Sequence, residues 1–194
     1  MRVTAREFGS LPLEVHSFLR DVPLHDVSAV DLPDGGDGRT IADVQSIVGQ
    51  ERLRRANPIV RALFGLRLTV GRFLGWDAEP AAGRPGLYVD RVPDALRARS
   101  KIAPGTPDGM FRVVYQLDHE ALAEIRNATA HAFLCSALQP RAGGYRLYWA
   151  VYVKPVSWLT PVYMAAIEPF RRFIVYPAIL GRIRDGWMAT YKSG

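Results

Sequence analysis

The sequence predicts an α+β fold, a curved antiparallel sheet wrapped around one long C-terminal helix. Three observations carry this. Residues 145–153 alternate strictly, with Tyr145, Leu147, Trp149, Val151 and Val153 on one side and Arg146, Tyr148, Ala150, Tyr152 and Lys154 on the other. Residues 111–118 alternate in the same way. The stretch from Thr160 to Trp187 then carries Tyr163, Ala166, Ile167, Phe170, Ile174, Pro177 and Leu180 at helical spacing.

Each element can be justified from its residues. Ser10 precedes an apolar run with Glu14 nearby, which predicts a short helix over 11–20. Leu24 to Leu32 alternates weakly and reads as the first strand, closed by Pro33 and the loop Asp34-Gly-Gly-Asp-Gly38. Thr40 is placed to cap a helix ending at Gly49, and Asn57-Pro58 opens a second with Ile59, Leu63, Leu66, Val70 and Leu74 on one face. Residues 77–110 are rich in Pro, Gly and Ala and read as an irregular insertion able to serve as a lid, with a short strand at Gly86–Val92 and a helical turn at Pro93–Ser100. Ala121–Ile125 is short and ambiguous, and Thr129–Leu138 is strand-like. Arg141 to Gly144 is a turn. Arg146 and Lys154 assign their face of the last strand to solvent. In the last helix Thr160 suits the N-cap and Pro161 the first turn. That helix spans about 40 Å at 1.5 Å per residue, and Pro169 and Pro177 are expected to bend it.

Composition bounds the function. The 194 residues fit a single domain, 1–194. One cysteine, Cys135, cannot make an intramolecular disulfide, and with no apolar leader at the N-terminus a reducing, cytoplasmic location is expected. Val162–Leu180 contains Glu168, Arg171 and Arg172, so no membrane span is expected. The net charge of +6 is uneven. Residues 1–50 balance to −4, and much of the remaining +10 lies in Arg52, Arg54, Arg55, Arg61, Arg67 and Arg72. No zinc-ligand spacing, recognition-helix pattern or RNA-binding aromatic motif accompanies it, so no nucleic-acid partner is expected.

Two segments carry a resemblance. They are Asn127-Ala-Thr-Ala-His131-Ala-Phe-Leu134 and Tyr163-Met-Ala-Ala-Ile-Glu-Pro169-Phe170-Arg171-Arg172-Phe-Ile-Val175. With the order of elements, they make residues 111–187 resemble a bacterial family of unknown function with the START-like, or SRPBCC, helix-grip fold. Birch-pollen-allergen proteins and polyketide cyclase/dehydratases belong to that superfamily, and some members of the smaller family are fused to nucleotide-binding reductase domains. His131 matches a histidine that the family commonly carries, whereas Arg171 stands where its helix commonly has histidine. The resemblance implies a cavity between sheet and helix that takes an apolar small molecule.

The candidate chemistry is sparse. His131 is the candidate catalytic residue, a histidine in an apolar strand that could act as general base. Asp118-His119-Glu120 reads as a solvated turn at a strand end. Cys135 reads as a small buried hydrophobe. Tyr115, Tyr145, Trp149 and Tyr163 are aromatics with polar tips suited to lining a ligand site. His131, Phe133 and Phe170 complete the candidate ligand-binding set. His16 and His25 have no partners at metal-ligand spacing, so neither a metal nor another cofactor is expected. The expected function is binding of a hydrophobic small molecule. The alternatives are a cyclase/dehydratase-type enzyme using the same cavity and a partner-binding domain without one.

Overall fold

The computed structural model describes residues 3–48, 86–126, 130–156 and 159–191, except for the side chains of Val48, Leu159, Val162 and Tyr163. The second predicted helix and the arginines from Arg52 to Arg72 lie outside the described residues.

The fold is α+β with helix-grip architecture, an open six-stranded antiparallel sheet crossed on one face by a long C-terminal helix. The strands are β1 (Leu24–Pro33), β2 (Pro107–Asp108), β3 (Phe111–Gln116), β4 (Glu120–Arg126), β5 (Ala130–Arg141) and β6 (Gly144–Pro155). They lie in the order β1-β6-β5-β4-β3-β2. Helices α1 (Ala5–Gly9) and α2 (Glu14–Phe18) precede β1, and α3 (Ile41–Val48) follows it. A 3-10 turn at Tyr88–Arg91 and α4 (Asp94–Arg99) lead into β2. The C-terminal helix comprises α5 (Leu159–Phe170), a π turn at Arg171–Val175 and α6 (Tyr176–Tyr191).

Local chemistry explains the ends of these elements. Thr4 caps α1 by accepting from the Glu7 N–H at 3.1 Å. Asp43 accepts from the Thr40 N–H at 2.8 Å and from its hydroxyl at 3.0 Å, which fixes the start of α3 as a half capping box. At the β5–β6 hairpin Arg141 pairs with Gly144. A Cβ on Gly144 (φ 146°) would lie 2.3 Å from the Leu32 carbonyl oxygen, so only glycine fits.

Both faces of the sheet are covered, which the alternation alone did not reveal. On the first face α1, α2, the 3-10 turn and α4 pack over Tyr148, Ala150 and Tyr152 of β6 and Phe133, Cys135 and Ala137 of β5. Tyr148 and Tyr152 are therefore buried rather than solvated. Arg146 and Lys154 mislead because their head groups reach Glu7 and Asp21 at the rim of this layer. On the second face α3 and α6 pack Ile41, Val44, Leu180, Ile183 and Trp187 against Leu32, Leu138, Tyr145 and Leu147.

Other expectations change for local reasons. Gly86–Val92 holds the 3-10 turn Tyr88–Arg91 rather than a strand, because the first two N–H groups of that turn are taken by the carboxylate of Glu124. β3 loses its alternation at a bulge between Val113 and Tyr115, so Val113 to Gln116 are all buried. Glu120 belongs to β4 and is buried. α5 begins at Leu159, and the hydroxyl of Thr160 accepts from the Val156 N–H at 3.1 Å.

The two prolines expected to bend the last helix flank the π turn. Pro169 and Pro177 each lack an N–H, and between them Tyr176 N–H donates five residues back to Arg171. About one extra residue per turn shifts the buried stripe. It runs through Met164 and Ile167, then Tyr176, Leu180, Ile183 and Trp187, leaving Phe170 and Pro177 outside it.

Candidate functional site

The sequence candidate His131 sits on the first face at 2% exposure. Its Nε2 lies 2.6 Å from Oε2 of Glu124, and its ring stacks on Phe133 with centroids 4.6 Å apart. Glu124 also accepts from the N–H groups of Tyr88 and Val89, at 2.9 and 2.8 Å. The Tyr88 ring meets the His131 edge at 5.4 Å. At the rim the Tyr88 hydroxyl donates to Asp21 at 2.5 Å and accepts from Lys154 at 2.7 Å. Its pKa is raised, first by burial and then by that bond to Asp21. Through these contacts Glu124 clamps the 3-10 turn to the sheet. Tyr115 and Phe133 belong to the same packed face.

The second face is different along its middle. Cross-strand registers define one row through Asp26, Val151, Leu134 and Ala123, and the next through Ser28, Trp149 and Ser136. These residues are half-buried, and so are Ile125 and Ala132 beyond them. They separate two packed clusters. One holds Leu180, Ile183 and Trp187, and the other holds Met164, Val153 and Ala130.

A polar group closes the β1 end of this band. The register of β1 shifts between Leu24 and Asp26, so His25 is a bulged residue. Asp26 faces the π turn. It accepts from Arg171 Nη2 at 2.7 Å and from the Tyr176 hydroxyl at 3.0 Å. Arg171 Nη2 also donates to the Tyr176 hydroxyl, while Nη1 is buried with no hydrogen-bond partner. His25 Nε2 lies 3.1 Å from Glu168 Oε2. Burial raises the Asp26 pKa above the usual carboxylate range, outweighing the adjacent Arg171 and the Tyr176 bond. Burial also pushes the Tyr176 hydroxyl well up. Ligand atoms of His25, Asp26 and Glu168 lie within 4.8 Å of one another. A divalent cation there would have to displace Arg171, which already supplies Asp26 with positive charge.

The seven predicted ligand residues do not converge. Tyr115, His131 and Phe133 lie on the face away from the C-terminal helix. Tyr145 is packed on the helix face, where its hydroxyl donates to the Gly36 carbonyl and accepts from the Arg39 N–H. Trp149 lies in the half-buried band. Phe170 is 48% exposed on the outer side of the helix. The Tyr163 side chain lies outside the described residues. Sequence reasoning missed Asp26, His25 and Tyr176 because a strand bulge and a π turn bring them together. The available signal was a charged residue inside the weakly alternating β1, facing the arginine of Pro169-Phe170-Arg171. A further cleft of about 650 Å³ lies on the rim, bordered by Pro12, Glu14, Arg99, Lys101, Asp118 and Glu120.

The sheet, the following helix and the motif around Arg171 all fall within one match. Residues 18–178 match the family described as protein of unknown function DUF2867. The chain belongs to that family. No curated protein matches this DUF2867 chain. The match spans β1 to the start of α6 and so includes both halves of the Asp26–Arg171 contact. Among the described residues no helix is long and apolar enough to cross a membrane.

Proposed function

We propose that this DUF2867 chain binds an apolar small molecule against the half-buried middle of the second sheet face, beside the C-terminal helix. One observation carries the reading. Along β5, His131, Phe133, Cys135 and Ala137 are buried on one face, while Ala132, Leu134 and Ser136 between them are half-buried on the other. One strand thus has a closed side and an accessible apolar side. An apolar band ending in a few convergent polar groups suits a ligand with a large hydrophobic body and one polar group. The unpartnered Nη1 of Arg171 is a donor at that end. Kinship with START-like carriers would give the same position for a ligand, between sheet and last helix. The single cysteine fits a reducing, cytoplasmic setting.

A second reading makes the site catalytic, with Asp26 moving a proton on the bound molecule in a cyclase- or dehydratase-type reaction. The raised pKa of Asp26 favours it, because a carboxyl shifted towards neutrality exchanges protons more readily near physiological pH.

Native mass spectrometry of freshly purified protein, with titration of an environment-sensitive apolar dye, tests the binding. Leu134→Glu places a charge in the band and should abolish dye uptake while the melting temperature changes little. Unaltered uptake in that variant, or a wild type that neither carries a small molecule nor takes up dye, would refute the proposal.

A further inference from the structure

The outer side of the C-terminal helix carries a second feature. Ala165, Ala166, Pro169, Phe170, Phe173 and Pro177 are all exposed along α5, the π turn and the first turn of α6. Phe170 is 48% and Phe173 69% exposed. Among the described residues Met110 is the other large hydrophobic side chain with such exposure, and it lies at the β2–β3 turn. Two phenylalanines one turn apart with small residues before them form a ridge next to a shallow flat, a shape that suits another helix.

We propose that this stripe pairs with the same stripe of a second copy of the chain, as an antiparallel helix pair about a two-fold axis near Phe170. The charges decide the occupant. An axis at Phe170 brings each residue opposite the one equally far on the other side of it. Arg172 of each copy then faces Glu168 of the other, twice over. Arg172 is exposed, and Glu168 keeps 37% of its side chain exposed while its Oε2 lies 3.1 Å from His25 Nε2. The same operation sets Phe173 of each copy beside the Ala165–Ile167 segment of the other, where the alanines leave room for a ring. Such a surface is self-complementary, as a two-fold interface requires. The Arg172 guanidinium already lies over the Phe173 ring at 5.3 Å, so charge and ring would enter the contact as a unit. A contact built on one helix face is small, so the pairing should be reversible and dependent on concentration.

Sedimentation velocity of the full chain at low and high protein concentration tests this. The expected mass moves from 21.6 kDa towards twice that value as concentration rises. Phe173→Ser should hold the chain at the single mass with its circular dichroism and melting curve unchanged, since that ring packs little within its own chain. Arg172→Glu should weaken the pairing by placing like charges opposite each other, and the double variant Glu168→Arg/Arg172→Glu should restore it. A wild type that stays at 21.6 kDa at every concentration overturns the proposal. So does a dimer that persists in Phe173→Ser, or one indifferent to Arg172→Glu. A monomer that co-sediments with vesicles of anionic lipid through Phe173 would assign the stripe to a membrane surface and overturn it as well.

Discussion

Glu120 and Glu124 stand four residues apart on the same face of β4, and each closes the first turn of a different short helix. Glu120 accepts from the N–H groups of Glu14 and Val15 at 2.8 Å each, and from the Tyr115 hydroxyl at 2.6 Å. Glu124 does the same for Tyr88 and Val89 and adds His131. One strand thereby positions two covering elements, separated by more than seventy residues in sequence, through carboxylates at exposed helix donors.

Glu124→Ala is expected to be among the most damaging single changes. It removes the partner of a buried histidine and leaves two N–H groups unsatisfied. Each buried polar group left without its partner costs about 1–3 kcal/mol. Urea unfolding of Glu124→Ala beside Arg112→Ala, a surface control on β3, measures the difference. A loss no larger than the control's would show that the clamp contributes little.

His131→Asn should lower stability and leave dye uptake at the second face unchanged. The histidine and the band lie on opposite faces of β5, so one side chain cannot serve both. The loss should be about 1–3 kcal/mol, the cost of a buried group left without its partner. Reduced dye affinity with an unchanged melting temperature would tie His131 to the ligand.

Trp187 and Trp149 should differ. Trp187 is fully buried, donates from Nε1 to the Pro33 carbonyl at 3.0 Å and meets the Tyr145 and Tyr191 rings. Trp187→Ala should cost about 3–5 kcal/mol, the range for a buried large aromatic. Trp149 is half-buried, so Trp149→Ala should cost less and should reduce dye uptake instead. Chemical denaturation of both variants, with dye titration of Trp149→Ala, compares them.

Asp26 gives a pH dependence with a defined sign. Its folded pKa is raised from 3.8. The folded state therefore binds the proton more tightly than the unfolded chain. Its contribution favours folding most below about 3.8 and is lost as pH rises through the raised folded value. The difference in melting temperature between wild type and Asp26→Asn should shift in favour of the wild type as pH falls through that window. A flat difference would mean that Asp26 titrates alike in both states. Glu120 is raised in the same direction by burial, so its own variant serves as the comparison.

The sequence by itself determined the strands at 111–118 and 145–153, the helix after Thr40 and the long C-terminal helix. Periodicity and capping are local signals, and they placed these elements even though a bulge broke the alternation of β3 and the π turn shifted the stripe of the last helix. It also marked the prolines that flank the π turn. Only the tertiary structure decided which face of each strand is covered by what. Tyr148 and Tyr152 looked solvated beside Arg146 and Lys154 until the N-terminal helices were placed over them. Glu120 read as part of a solvated turn and Glu124 carried no signal of its own, because the helix donors they satisfy lie far away in the chain. Asp26 and Arg171 are separated by 145 residues. Their contact depends on a one-residue bulge in β1 and a one-residue slip in the helix, shifts that change which side chains meet without leaving a periodic trace in either segment.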